Sequence, residues 1–138
     1  MGARGAAVIV VDSSYALALV MPDELRPASM QTVVEDDLAV PVIWPLEIAN
    51  AIRMNLRRGR LTADRVEALF KRIAELRVDV IGPAHSLPQR YFDAAQEHDL
   101  TPYDATYITM AVQFSAALAT RDRALATAAE RLGIQTYS

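Results

Sequence analysis

The stretch Val8-Ile9-Val10-Val11-Asp12-Ser13-Ser14 decides the fold class of this chain. The continuous valine- and isoleucine-rich run from Val8 to Val11 is typical of a parallel strand that is buried on both faces. Asp12 ends the run, and a helical pattern follows from about Ser14 to Val20. A buried strand that leads directly into a helix predicts an α/β domain with a parallel sheet.

The alternation of short apolar runs with helical patterns continues along the chain, and it predicts five strands joined by helices. The further predicted strands cover about residues 39–43, 78–81, 116–120 and 134–136. The further predicted helices cover about residues 28–36, 45–58, 62–76, 85–98, 101–114 and 122–132. Pro45 and Thr62 are expected to start two of these helices, and Gly59 and Gly133 to end two.

Length and composition are those of a small globular protein. The 138 residues fit one domain, and 52% of them are apolar, which allows a sizeable core. The absence of cysteine excludes a disulfide framework, zinc–thiolate sites and thiol catalysis. The apolar start is too short to span a membrane and lacks a secretory signal, so we expect a cytoplasmic protein without membrane contact. The net charge of −3 is not typical of nucleic-acid binders.

Four acidic residues lie where α/β sheets place functional groups. Asp12 and Asp122 follow predicted strands directly, and Glu47 and Asp104 lie in the first turns of predicted helices. Each also has a purely local explanation. Asp12 and Asp122 can cap helices, and Glu47 can compensate a helix dipole. Asp104 can complete a capping box that begins at Thr101.

The shared position of these acids favours a functional interpretation. The carboxyl ends of parallel strands meet at one edge of a sheet, so the four carboxylates are expected to converge there. Converging carboxylates repel one another unless a cation lies between them. Oxygen ligands without cysteine or nearby histidine suit a hard ion such as Mg²⁺ or Mn²⁺. The sequence therefore predicts a metal-dependent site for phosphate chemistry.

Four segments follow one another in an order that identifies a family. They are Val10-Val11-Asp12-Ser13-Ser14-Tyr15-Ala16-Leu17, Pro45-Leu46-Glu47-Ile48-Ala49-Asn50-Ala51, Leu100-Thr101-Pro102-Tyr103-Asp104-Ala105-Thr106-Tyr107-Ile108-Thr109-Met110-Ala111 and Leu118-Ala119-Thr120-Arg121-Asp122-Arg123-Ala124-Leu125. In this order they resemble the motifs of the PIN-domain family, in particular the VapC-type toxins of bacterial toxin–antitoxin pairs. The third segment is the most specific match, and the resemblance covers nearly the whole chain.

The resemblance implies a three-layer α/β/α fold around a mostly parallel five-stranded sheet. It implies an endoribonuclease that uses Mg²⁺ or Mn²⁺, a homodimer, and a cognate antitoxin whose C-terminal segment covers the active site. Asp12, Glu47 and Asp104 would ligate the metal directly or through water, with Asp12 and Asp104 the firmest ligands. Asp122 would complete the site, either through water or by hydrogen-bonding the residues that ligate the metal.

Several neighbouring residues are candidates for supporting roles. Ser14 and Thr120 would hydrogen-bond the carboxylates, as metal sites usually require, although each could be an ordinary element end. Four arginines could hold RNA phosphates: Arg53, Arg57, Arg121 and Arg123. Arg53 and Arg57 could instead bind acidic groups of the antitoxin. Solvated helix ends explain the first two equally well. The aromatic residues Trp44, Tyr91, Phe92 and Tyr107 are interpreted as core.

Other functions on similar sheets fit the residues less well. A haloacid-dehalogenase-like phosphatase requires a second Asp where this chain has Ser14, and a response-regulator receiver requires a late lysine where the only lysine is Lys71. His85 and His98 flank a separate helix and are interpreted as surface or capping residues rather than as a general base. A catalytically silent PIN-fold binding module remains the alternative function.

Overall fold

The computed structural model describes residues 7–83 and 86–138, and its sheet follows the predicted order of elements. The strands are β1 (Val8–Val11), β2 (Asp37–Pro41), β3 (Asp79–Ile81), β4 (Ala117–Ala119) and β5 (Thr136–Tyr137). The helices are α1 (Ser13–Val20), α2 (Met30–Val34), α3 (Trp44–Arg57), α4 (Ala63–Glu75), α5 (Pro88–His98), α6 (Pro102–Gln113) and α7 (Arg123–Arg131).

The strands form one sheet in the order β3-β2-β1-β4-β5, and every neighbouring pair is parallel. β1 lies at the centre, where Val10 pairs with Ala39 of β2 and Leu118 of β4. Parallel strands need crossovers, and the intervening helices supply them in a three-layer α/β/α arrangement. The predicted five-stranded α/β fold is thereby confirmed, with a sheet that is wholly rather than mostly parallel.

The core forms on both faces of the central strand. Val10 and Val11 of β1 are fully buried, as the continuous apolar run predicts for a central parallel strand. Tyr15 of α1 and Tyr107 of α6 are also fully enclosed by the core. The resulting rigid packing holds the loops after β1 and β4 in a defined relation to each other.

Several boundaries differ from their predicted positions. β2 covers Asp37–Pro41, so each of its ends lies two residues before the predicted bounds of 39 and 43. The reason is that Asp37 pairs with Val8 at the start of β1. β5, predicted at 134–136, is displaced in the opposite direction, to Thr136–Tyr137, where it pairs with β4. α5 begins at Pro88, since proline suits a first helical turn. His85, the predicted start of that helix, lies outside the described residues.

The two glycines predicted to end helices do so, and the threonine predicted to start one lies at the expected position. Gly59 and Gly133 have φ angles of +78° and +74°, a left-handed conformation that glycine adopts without a Cβ clash. Thr62 occupies the position before α4 as predicted, but its side chain makes no capping hydrogen bond. Within residues 7–83 and 86–138 there is no helix with the length and apolar character needed to cross a membrane.

The interpretation of the aromatic residues is correct for two and wrong for one. Trp44 and Tyr107 are buried in the core. Tyr91 is only partly buried and lines a surface depression beside β2. Phe92 is 58% exposed, so the prediction that it belongs to the core is wrong. Among the described residues of α5, the buried one is the small Ala95.

Candidate active site

Asp12 lies at the end of the central strand with its carboxylate turned into the protein. Its side chain accepts a hydrogen bond from the backbone N–H of Tyr15 at 2.9 Å, and Asp12 as a whole is only 4% exposed. This bond caps α1, as the local explanation predicts. A cap does not require burial, however, because capping aspartates usually remain in contact with water. The burial of Asp12 therefore needs a further reason.

Two hydroxyl groups also hydrogen-bond this carboxylate. Ser14 donates to Oδ1 at 2.7 Å, and Thr120 donates to Oδ2 from the end of β4. Burial raises the pKa of Asp12 from 3.8 to about 6, even though these bonds lower it, and the negative charge of Asp122 adds to the increase. The desolvation of the carboxylate thus outweighs three hydrogen bonds, and its charge lacks a cationic partner among the described residues.

The same hydroxyl groups connect the first loop to the loop after β4. Ser14 Oγ accepts the backbone N–H of Arg121 at 2.9 Å, and Thr120 Oγ1 accepts that of Asp122 at 2.9 Å. The side chain of Asp122 in turn accepts the N–H of Leu125 and caps α7. The hydrogen bonds predicted for Ser14 and Thr120 are present, and they hold Asp12 and Asp122 at one edge of the sheet.

Glu47 in the first turn of α3 is half-buried and hydrogen-bonded to a neighbouring helix. The hydroxyl of Tyr107 on α6 donates to Glu47 Oε1. The side chain of Ser13 lies close enough to lower the pKa of Glu47. Burial nevertheless raises the pKa of Glu47, and the charge of Asp104 raises it further. A residue that only compensated a helix dipole would be exposed, so the position of Glu47 exceeds what that explanation requires.

Asp104 is half-buried at the start of α6. Thr101 caps this helix by accepting the N–H of Asp104 at 3.1 Å, which is half of the predicted capping box. Burial raises the pKa of the Asp104 carboxyl, and the charge of Asp122 raises it further. Asp104 therefore interacts electrostatically with Glu47 on one side and with Asp122 on the other.

The four predicted acids form a continuous electrostatic group at the carboxyl edge of the sheet. Neighbouring charges act on one another in the order Asp12, Asp122, Asp104 and Glu47. In the part of the chain that the structure describes, none of them forms an ion pair with lysine or arginine. Over the same residues, no three Asp, Glu or His side chains are already close enough together to hold a metal ion. The group is electrostatically connected but not assembled into a coordination sphere.

Tyr107, which the sequence pattern predicts as a core residue without a part in the site, also contacts one of the acids. The residue is 1% exposed, as a core residue should be, yet its hydroxyl reaches Glu47. Burial and the adjacent Glu47 both raise the pKa of Tyr107, so it remains a neutral donor. The signal was its spacing, because Tyr107 lies three residues after Asp104 and thus on the same side of α6.

The predicted arginines all lie on the surface. Arg121 and Arg123 flank Asp122 directly, and Arg121 lies close enough to Tyr15 for its charge to affect that hydroxyl. Arg53 and Arg57 are exposed on α3, on the helix that begins near Glu47. Arg60, in contrast, forms an ion pair with Asp23. His98 lies at the end of α5, 3.9 Å from a carboxylate oxygen of Glu97.

Two curated proteins are similar to this chain in sequence. The chain is 35% identical to ribonuclease VapC9 of Mycobacterium tuberculosis over 118 residues, 83% of this chain and 86% of that protein. It is 30% identical to ribonuclease VapC3 of Pyrobaculum aerophilum over 122 residues, 86% of this chain and 92% of that protein.

A solved structure supports the fold independently. The crystal structure of PAE2754 from Pyrobaculum aerophilum superimposes with a TM-score of 0.72 at 24% identity, covering 99% of this chain and 89% of that one. The model of the PIN domain family matches residues 9–131, which contain all four acids. The chain belongs to the PIN domain family.

Proposed function

We propose that this chain is a metal-dependent endoribonuclease and the toxin of a bacterial toxin–antitoxin pair. The observation that carries the proposal is the buried carboxylate of Asp12, whose pKa burial raises to about 6. Its charge interacts with that of Asp122, which in turn interacts with Asp104, and Asp104 with Glu47. Burying an isolated charge destabilises a fold, so a buried carboxylate without a cationic partner indicates a functional site. The similarity to proteins named VapC ribonucleases supports RNA as the substrate.

The donor chemistry of the four acids fits a hard divalent cation. The four acids offer only carboxylate oxygens as ligands, which suits Mg²⁺ or Mn²⁺. No described arginine or lysine forms an ion pair with them. We propose that Asp12, Glu47 and Asp104 hold the ion, with Asp122 assisting through water. When bound, such an ion supplies activation of water and stabilisation of the negative charge that develops on a phosphate.

The residues around Asp12 act by orientation. Ser14 and Thr120 each donate a hydroxyl to one carboxylate oxygen, which leaves the carboxylate few alternative rotamers. Tyr107 does the same for Glu47. We propose that these three side chains keep the acids in place while water attacks the phosphodiester in line with the leaving oxygen. Arg121 and Arg123 are placed beside Asp122, where they can contact the phosphate on either side.

The predicted assembly follows from the same proposal. The chain would act in the cytoplasm as a homodimer, and a cognate antitoxin would restrain it. The toxin–antitoxin assignment rests on the VapC names of the relatives and on the motif resemblance.

The alternative is a PIN-fold module that binds RNA or protein without cleaving it. The presence of all four acids and of the hydroxyl groups that position Asp12 favours catalysis. A binding module does not require a desolvated carboxylate at its centre.

The proposal is tested by RNA cleavage in the presence of Mg²⁺, Mn²⁺ or EDTA. The parent chain should cleave with either ion and not with EDTA. Asp12→Asn and Asp104→Asn should each lose at least about a hundredfold in rate, the usual scale for a group that acts on the transition state. Asn caps a helix as well as Asp does, so Asp12→Asn retains the fold.

The matched control is Asp93→Asn, which removes one negative charge from the exposed surface of α5. It should cleave like the parent. Cleavage by Asp12→Asn at the parent rate would overturn the proposed role of the acids. Tight RNA binding without cleavage in any metal would favour the binding module instead.

A further inference from the structure

A depression of about 430 Å³ opens directly beside two of the acids. It is lined by Ile43, Leu46, Glu47, Asn50, Thr101, Tyr103 and Asp104. Glu47 and Asp104 are among its lining residues, so a ligand held at these two acids would lie next to this space. The depression lies between the start of α3 and the start of α6.

The other lining residues give this depression an apolar surface that faces water. Tyr103 is 63% exposed and Leu46 is 71% exposed, although large apolar side chains are normally withdrawn from solvent. The hydroxyl of Tyr103 has no hydrogen-bond partner within the described ranges, so no hydrogen bond of that group accounts for the exposed position of the ring. Asn50 adds an exposed amide, which can both donate and accept hydrogen bonds.

The same side of α3 becomes basic with distance from the acids. Leu46 and Asn50 are followed by Arg53 and Arg57 at helical spacing, so the four share one exposed face. Neither arginine forms an ion pair within the described part of the chain. An apolar and amide surface followed by free cations matches a nucleotide, whose flat base is followed along the strand by negatively charged phosphates.

We propose that the depression binds an unpaired base of the RNA next to the scissile phosphate, with the ring of Tyr103 as the stacking surface and the amide of Asn50 as the group that reads the base edge. This assignment rests on the proposed ribonuclease function and specifies its substrate as single-stranded RNA at that position. Unpaired bases stack on aromatic side chains and expose their Watson–Crick edges for hydrogen bonding, whereas bases in a duplex stack on one another and use those edges for pairing.

The experiment measures binding of short single-stranded oligonucleotides of U, A, C or G to chains that carry Asp12→Asn to prevent cleavage. Tyr103→Ala should weaken binding by roughly fivefold or more, which is the lower end of the loss expected for one base stack. Tyr103→Phe should restore the parent affinity, because the ring remains. Phe92→Ala is the control, since it removes an equally exposed ring from α5.

Two further readouts separate stacking from a structural role. A fluorescent base analogue in the oligonucleotide should be quenched by the parent ring and by Phe at position 103, but not by Ala. An oligonucleotide of abasic ribose phosphates should bind parent and Tyr103→Ala chains equally. Asn50→Ala should change the relative affinities for the four bases more than it changes their mean.

The outcomes distinguish this assignment from the proposed function. If the parent chain cleaves RNA and Tyr103→Ala binds every oligonucleotide like the parent, the base site is wrong and a protein side chain becomes the better occupant. If Tyr103→Ala weakens abasic and ordinary RNA alike, the ring does not act on a base and the assignment is also overturned. If the parent neither binds nor cleaves RNA, both proposals fail.

Discussion

The hydroxyl of Tyr107 donates a hydrogen bond to the carboxylate of Glu47, and this contact joins α6 to α3 across 60 residues of chain. Both helices begin at the carboxyl edge of the sheet with an acid in the first turn. The bond therefore positions the two acids of the neighbouring helices with respect to each other. It also lowers the pKa of Glu47 against the opposing effects of burial and of Asp104.

Replacing Tyr107 by Phe should remove this bond without opening a cavity. We expect a loss of about 1.5–3 kcal/mol in the free energy of unfolding, the range for hydrogen bonds to charged groups. The pKa of Glu47 should rise, so the acid side of the pH–rate profile for RNA cleavage should move to higher pH. Denaturant unfolding and the pH–rate profile measure the two effects.

Tyr15→Phe is the matched control for this prediction. Tyr15 is equally buried, and its hydroxyl is hydrogen-bonded to Ser29 at 2.6 Å rather than to an acid of the site. Its loss should lower stability but leave the pH–rate profile in place. A displaced profile in Tyr15→Phe, or an unchanged one in Tyr107→Phe, would contradict the role given to Tyr107.

The stability of the metal-free chain should fall as Asp12 ionises. Its pKa in the folded state, about 6, lies above its ordinary value of 3.8, so the folded state binds the proton more tightly than the unfolded state does. The resulting stabilisation is complete below about pH 4 and is lost as the pH rises through 6. A difference of this size corresponds to about 3 kcal/mol.

Thermal and denaturant unfolding in EDTA between pH 4 and pH 7 test this prediction. Asp12→Asn should show a much weaker decline over that range, because its amide does not titrate. Asp93→Asn should retain the parent decline. Parallel curves for the parent and Asp12→Asn chains would show that Asp12 does not supply the pH dependence.

Thr120→Val should disturb Asp12 more than its similar shape suggests. The threonine hydroxyl is the hydrogen bond that lowers the Asp12 pKa most, and it also accepts the N–H of Asp122. Removing it leaves a buried carboxylate oxygen and a backbone donor without partners, at a cost of about 1–3 kcal/mol. The pKa of Asp12 should rise further.

NMR titration of the Asp12 carboxyl and denaturant unfolding measure both effects. Thr120→Ser should restore most of the stability and the pKa, because it keeps the hydroxyl and loses only a methyl group. If Thr120→Ser behaved like Thr120→Val, packing rather than the hydrogen bond would account for the change.

Arg57→Glu should reduce the salt dependence of RNA binding if Arg57 contacts a phosphate. For single strands, each phosphate contact contributes a slope of about −0.7 in the dependence of log K on log salt concentration, so the slope should become shallower by about that amount. Arg72→Glu is the matched control, since Arg72 also lies exposed in the last turn of its helix. Equal slopes for the parent and Arg57→Glu chains would exclude a phosphate contact at that residue.

The sequence was sufficient for the fold because the decisive information is local. The run from Val8 to Val11 has the composition of a strand buried on both faces, and the structure places it at the centre of a parallel sheet. The alternation of strands and helices then leaves few possible topologies. Boundaries such as those of β2 and β5 depended on pairing with other strands, which no local pattern specifies.

The position of the four acids at one edge of the sheet could also be predicted from the sequence, since strand ends and helix starts are local signals. It could not decide between a capping and a functional role for Asp12, because both use the same residue at the same position. Only the tertiary structure shows that Asp12 is buried and bonded to Thr120, 108 residues away. The exposed ring of Tyr103 and the contact of Tyr107 with Glu47 are likewise decided by how α3 and α6 pack. Desolvation and long-range contacts are properties of packed neighbours, and a linear pattern does not contain them.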